Sequence, residues 1–163
     1  MTGRAAVLGY PVSLVVAGRR CVVVGAGRIA ARKVAGLLEA GADVVVVAPV
    51  AGDRVREWAA DGAVTLQERA FAPSDLDDAW LAFSATGDPG VDRAVAEAAE
   101  AARVWLGTAD DAGLGSLTAV SALRRGDLVV TVGTGGRSPA LACLLYTSPS
   151  PRDRTRSRMP SSA

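Results

Sequence analysis

Residues 21–38 read Cys21-Val22-Val23-Val24-Gly25-Ala26-Gly27-Arg28-Ile29-Ala30-Ala31-Arg32-Lys33-Val34-Ala35-Gly36-Leu37-Leu38. A short apolar run enters a glycine turn, and Val34, Leu37 and Leu38 then recur at helical spacing. The stretch predicts a strand, a tight turn and a helix. At that junction Gly25-x-Gly27-x-x-Ala30 has the spacing of a dinucleotide-binding turn. Gly25 can bend the chain off the strand, and Gly27 lets backbone approach a pyrophosphate. Ala30 is small enough for helix and strand to pack closely. Phosphate oxygens would meet unpaired N–H groups at the positive end of the helix dipole.

Working outward, Gly41 should end this helix, and Ala42 to Ala48 is a buried strand stopped by Pro49. An acidic residue at that strand end commonly holds the ribose 2′-OH of NAD. Ala48, Pro49 and Val50 stand there instead, so these residues do not decide NAD against NADP. Val55, Trp58 and Ala59 predict a short helix, and Val64 to Leu66 a third strand. A Pro73-Ser74-Asp75-Leu76 turn leads into a fourth strand, Ala79 to Thr86. The polar end of that strand, Ser84 and Thr86, falls where such sheets bind ligands. Those two hydroxyls suit nicotinamide contacts and local strand-end hydrogen bonds equally well. Asp88-Pro89 opens a helix with Val91, Val95 and Ala98 on one face, and Val104 to Gly107 is a fifth strand. The order β-α-β-α-β-β-α-β predicts an α/β, Rossmann-type doubly wound parallel sheet covered on both faces.

Beyond it the pattern changes. Thr108 to Gly113 is an acidic loop containing Asp110 and Asp111, and Arg124-Arg125 reads as a solvated pair in a hairpin turn. Leu128 to Val132 is a strand. It runs into Gly133-Thr134-Gly135-Gly136-Arg137-Ser138-Pro139, where Ser138 and Pro139 have the form of an N-cap and a first helical residue. Residues 143–163 are rich in Ser, Pro and Arg with no apolar period, which predicts disorder. They look like translated adapter read-through, a non-native end that would leave the region before it incomplete. The expected division is therefore 1–112 for the nucleotide-binding domain, 113–142 for the start of a further region, and 143–163 for the tail.

Composition limits the functions available. The 163 residues carry a net charge of +1 and only 4% aromatics. Neither a phosphate-tracking surface nor a base-stacking platform is expected, hence no nucleic acid partner. The apolar start, Ala5 to Ala17, is short for a membrane span and is broken by Pro11. It reads as a lead-in to the first strand, with no membrane partner expected. Two cysteines, Cys21 and Cys143, form no disulfide framework and fit a reducing, cytoplasmic setting. With no histidine in the chain, acid–base work falls to carboxylates, hydroxyls or backbone. No cluster has metal-ligand spacing, so no protein-held metal is expected. Lys33 reads as a surface residue, and Cys21 as a buried strand residue rather than a nucleophile.

Taken in order, several stretches resemble the precorrin-2 dehydrogenase/sirohydrochlorin ferrochelatase module of siroheme synthases. They are Tyr10-Pro11-Val12, residues 23–33, Leu38-Glu39-Ala40-Gly41-Ala42, Asp77 to Leu81, Ala85-Thr86 with Asp88, the Asp110 loop, and Thr134 to Ala142. The resemblance covers roughly residues 10–142. It implies NAD as cofactor and oxidation of precorrin-2 to sirohydrochlorin, with Fe²⁺ as a second substrate in many members. It further implies a homodimer completed by the helical region that starts at Ser138. Carried over by position, Asp110 is the acid–base residue, and Gly25, Gly27, Arg28, Ile29, Pro49, Val50 and Thr86 contact the cofactor. Thr134, Gly135 and Arg137 border the substrate. Two other readings stay open: a different NAD(P)-dependent oxidoreductase, and a non-catalytic module that senses NAD(H).

Overall fold

The computed structural model describes residues 9–109, 111, 113–126 and 128–132. The chain divides into two compact units, Gly9–Thr118 and a second beginning at Ala119.

The first unit is built on a five-stranded parallel sheet. Its strands are β1 (Arg20–Val24), β2 (Asp43–Val47), β3 (Thr65–Gln67), β4 (Leu81–Ser84) and β5 (Trp105–Thr108). Their spatial order is β3-β2-β1-β4-β5. Helix α1 (Arg28–Glu39) joins β1 to β2, α2 (Asp53–Ala60) joins β2 to β3, and α3 (Pro89–Ala102) joins β4 to β5. The crossover from β3 to β4 holds only a 3-10 turn, Pro73–Leu76. This is the doubly wound α/β sheet that the sequence predicts, with element ends shifted by one or two residues. The fourth strand is shorter than expected: Ala79, Trp80, Ala85 and Thr86 lie outside it.

Strand residues alternate between two cores, as a sheet covered on both faces requires. Cys21, Val23, Val44 and Val46 pack with Ala30, Val34 and Leu37 of α1 and Val55 of α2. Val22, Val24, Val45 and Val47 pack with Leu76 and with Val95 and Ala99 of α3. All eight strand residues are fully or almost fully buried, which explains the unbroken valine runs. Helix α1 ends in a Schellman motif. Gly41, at φ +74°, donates to the Leu38 carbonyl at 2.9 Å, and Ala42 donates to Leu37 at 3.0 Å. Gly41 thus has the stop role its position predicts.

The crossover is fastened by a buried carboxylate. Asp75, 4% exposed, binds the Arg69 guanidinium through both oxygens and accepts the Ala72 N–H at 2.8 Å. The Arg69 hydrogen bond is the main cause that holds its carboxyl below the usual range. Past β5 the chain returns along the sheet edge. Leu117 N–H donates to the Leu106 carbonyl at 2.9 Å, and Ser116 Oγ accepts the Leu106 N–H at 2.9 Å.

In the second unit β6 (Ser121–Arg125) and β7 (Leu128–Val132) form an antiparallel hairpin. Arg124 and Arg125 are strand residues, paired with Val129 and Leu128. The sequence reading put them in the turn, but the turn begins at Gly126, whose φ of +57° favours glycine. Residues 133–163, including the expected tail, lie outside the described residues. Among the described residues no helix is long and apolar enough to cross a membrane.

Candidate functional site

The strand order reverses between β1 and β4, because the chain leaves β1 toward β2 on one side and later enters β4 on the other. In such sheets the crevice at that point, beyond the carboxyl ends of the strands, binds ligands. Three backbone segments meet there. The Gly25 N–H continues the β1–β2 ladder to the Val47 carbonyl at 2.9 Å, and the Ala85 N–H reaches the Val24 carbonyl at 2.9 Å. The loop after β2 is tied in by Gly52, which donates to the Ala26 carbonyl at 3.2 Å.

The two fingerprint glycines are used differently. Gly25 sits at φ +103°, and a Cβ there would lie 2.8 Å from the Ala85 carbonyl carbon and 3.2 Å from Thr86 N. It is glycine because the end of β4 presses against it. Gly27 has an ordinary φ of −79°, and a Cβ there would meet nothing within 4 Å. Its missing side chain therefore faces open space, at the start of α1. No described atom fills that space, which leaves room for a bound group.

The N-terminus of α1 fits an anion. Its first intrahelical bond runs from the Ala31 N–H to the Gly27 carbonyl, leaving the N–H groups of Arg28, Ile29 and Ala30 without helical partners. No side chain caps it, and its first turn holds no acidic residue. The exposed Arg28 occupies a position where the helix dipole disfavours a cation. Helix α3 is the contrast, since Asp88 caps it by accepting the Gly90 and Val91 N–H groups at 2.8 and 3.3 Å. The α1 terminus, open and flanked by a guanidinium, has the donor set of a pyrophosphate cradle.

Around this turn the structure gathers Gly25, Gly27, Arg28, Ile29, Pro49, Val50 and Thr86, all of them sequence-predicted cofactor contacts. Ile29 is 42% exposed and Val50 75% exposed, so neither apolar side chain is spent on the core. Thr86 engages protein groups, donating to Asp92 Oδ1 at 2.6 Å and accepting the Asp88 N–H at 3.1 Å. Ser84 Oγ donates to the same Asp92 oxygen at 2.6 Å. Asp110, Thr134, Gly135 and Arg137 lie outside the described residues. Asp111 is a loop residue, its Oδ1 accepting the Gly113 N–H at 2.8 Å. Among the described residues no group of three or more His, Cys, Asp or Glu side chains gathers in one place.

Sequence reasoning missed Asp92. The signal was present, because Asp92, Val95 and Ala99 recur at i, i+3, i+7 on the stripe of α3 that is buried. Reading the stripe from Val91 instead placed the carboxylate outside it. Lys33 also differs from expectation. It is half-buried, with Nζ 5.0 Å from the centre of the Phe83 ring. Burial, and then the neighbouring Arg32, push its ammonium below the usual range. Cys21 is buried as expected, and burial followed by the Asp43 charge raises its thiol to about 11, which leaves it unreactive.

Comparison with known proteins gives the family. A family model described as "Putative NAD(P)-binding" matches residues 12–121. The siroheme synthase of Nitrosococcus oceani is 37% identical over 135 residues, 83% of this chain and 29% of its own length. That of Citrobacter koseri is 43% identical over 127 residues, 78% of this chain and 28% of its own length. The chain thus spans less than a third of the length of these relatives. Among solved structures, SirC, a precorrin-2 dehydrogenase, superposes with a TM-score of 0.72 at 28% identity, covering 85% of this chain and 68% of that one. The open glycine turn, the reversal of strand order beside it and the match over residues 12–121 place the chain in this NAD(P)-binding family, in homology with siroheme synthases.

Proposed function

We propose that the chain is the NAD-dependent dehydrogenase part of a siroheme-forming enzyme, oxidising precorrin-2 to sirohydrochlorin. The observation that carries the dinucleotide half of this reading is Gly27, a glycine that no packing contact or backbone angle demands. The α1 N–H groups and Arg28 would hold the pyrophosphate, Gly25 and Gly27 would give it room, and Ile29, Pro49 and Val50 would line the adenosine side. Thr86 would border the nicotinamide half. When bound, the nicotinamide accepts a hydride.

NAD is favoured over NADP by the charges near the end of β2. Arg54 is paired with Glu57 at 2.7 Å and Arg56 with Glu68 at 2.7 Å, so neither offers an unneutralised guanidinium to a 2′-phosphate. Asp53 stands in the first turn of α2 and would repel one.

Oxidation of a tetrapyrrole also releases a proton, and Asp110 is our choice for the base. It follows Ala109, whose N–H bonds the Ser84 carbonyl at 3.0 Å at the carboxyl end of β5. A carboxylate there can take the proton from carbon or pyrrole nitrogen. The same base would serve Fe²⁺ insertion into sirohydrochlorin, which also strips protons from ring nitrogens. Thr134, Gly135 and Arg137 would border the tetrapyrrole, residues 113–142 would begin the dimerisation and substrate region, and the working protein would be a cytoplasmic homodimer.

The test is a spectral assay of precorrin-2 with NAD⁺, run on this chain and on a full-length version. Sirohydrochlorin should form, and Asp110→Ala should slow its formation at least 100-fold, the usual scale of general base catalysis being about 10²–10⁴. Tight NAD⁺ binding with precorrin-2 left untouched in the full-length protein would reduce the proposal to a cofactor-binding module.

A further inference from the structure

Three polar side chains are buried among the described residues: Asp75, Ser84 and Asp92. Asp75 is neutralised by Arg69. The described partners of the Asp92 side chain are two hydroxyls, Ser84 and Thr86, both at 2.6 Å from Oδ1. Asp92 lies in the first turn of α3, where the helix dipole favours a negative charge.

A hydroxyl has one proton to give, and an ionised carboxylate only accepts. The 2.6 Å separation is that of a charge-assisted bond and is shorter than the 3.2 Å from Thr86 Oγ1 to the Asp88 carbonyl, so the Thr86 proton points to Asp92. The Asp88 N–H donates to the same Thr86 oxygen at 3.1 Å. Thr86 is left with lone-pair capacity and no proton for anything else. It sits at the switch-point crevice, its backbone N 3.2 Å from the position of a Gly25 Cβ.

We propose that Asp92 is a positioning residue for the nicotinamide half of the cofactor. By drawing the Thr86 proton inward, it makes Thr86 a hydrogen-bond acceptor toward the crevice. The group that Thr86 recognises is therefore a donor: a ribose hydroxyl or the NH₂ of a carboxamide, and not a carboxylate. The proposal rests on the dinucleotide reading above.

The test is calorimetric titration of the full chain with NAD⁺, with ADP, which lacks the nicotinamide riboside, and with nicotinic acid adenine dinucleotide, which replaces the carboxamide by a carboxylate. Thr86→Val and Asp92→Ala should each weaken NAD⁺ about tenfold while ADP affinity changes by less than about twofold. Asp92→Asn keeps an acceptor oxygen for both hydroxyls and should stay within about threefold of the parent. Parallel losses for NAD⁺ and ADP, or no loss for either, would overturn the role of Asp92 and leave the dinucleotide reading standing. A parent chain that binds neither NAD⁺ nor ADP would sink that reading, and this proposal with it. Tighter parent binding of the acid dinucleotide than of the amide overturns the acceptor assignment, whereas equal binding supports it with the ribose hydroxyl as the donor. Should Asp92→Ala fail to fold, Asp92→Leu, close to aspartate in shape and without an acceptor, is read in its place with the same expectation.

Discussion

Replacing Gly25 and Gly27 one at a time by alanine should separate folding from cofactor binding. At Gly25 the backbone is held at φ +103°, a region that costs a side-chain-bearing residue about 1–3 kcal/mol. The added methyl would lie 2.8 Å from the Ala85 carbonyl carbon, well inside the 3.5–4.0 Å optimum for carbon contacts. Both partners are backbone, so relief needs a shift of β1 against β4, at a cost of about 1–3 kcal/mol. Together these predict a loss of about 2–6 kcal/mol, or roughly 15 °C in melting temperature at the middle of that range for a unit of this size. At Gly27 neither cost applies, since φ is −79° and the methyl meets nothing within 4 Å. Alanine there is a poorer N-cap by about 0.5–1 kcal/mol, which its lower unfolded-state entropy roughly offsets. Gly27→Ala should therefore melt within about 3 °C of the parent yet lose at least about tenfold in NAD⁺ affinity. Thermal melts by circular dichroism and calorimetric titration read the two quantities separately. If Gly27→Ala binds NAD⁺ normally, the open space beside it is not the pyrophosphate site. If Gly25→Ala melts with the parent, the pressure from Ala85 is not what demands glycine.

Three further outcomes follow from the packing. Asp75 has its pKa depressed on folding, chiefly by Arg69, so its contribution to stability is complete above the ordinary carboxylate range. That contribution is lost as pH falls through the depressed folded value. Urea unfolding between pH 7 and pH 3 should show this loss, and Asp75→Asn should be less stable at pH 7 with a shallower fall; an unchanged pH slope would contradict the ion pair's role. Gly107→Ala would put a methyl 2.5 Å from Cε1 and 2.7 Å from Cδ1 of Phe83. Displacing a ring that Lys33 covers should cost about 1–3 kcal/mol, read as a lower melting temperature, and a melt equal to the parent's would show that the ring yields freely. Cys21, with no exposed surface and a thiol near 11, should resist alkylation at pH 8 until the chain is denatured. Peptide mapping after iodoacetamide treatment checks this, and rapid native labelling at Cys21 would contradict its burial.

The sequence by itself determined the order of strands and helices, because each is announced by local chemistry. The valine runs of β1 and β2 mark strands buried on both faces, the glycines at 25 and 27 mark the turn, and Gly41 marks the end of α1. The doubly wound parallel class followed from the same order, since parallel strands joined by right-handed crossovers allow few arrangements, while the spatial order β3-β2-β1-β4-β5 comes from the structure. The cofactor contacts expected at Arg28, Ile29, Pro49 and Val50 came from the family resemblance, and that at Thr86 from its place at a strand end. Local pattern cannot report contacts between distant segments, and those decided the rest. That Gly25 is glycine because of Ala85, 60 positions away in sequence, appears only once β4 lies beside β1. Lys33 looks like a surface residue on its helix until the Phe83 ring of β4 is set beneath it. Asp92 looks like one more charge on a polar helix until Ser84 and Thr86 supply their hydroxyls. A buried carboxylate is stable only with such partners, and only the tertiary structure brings them to it.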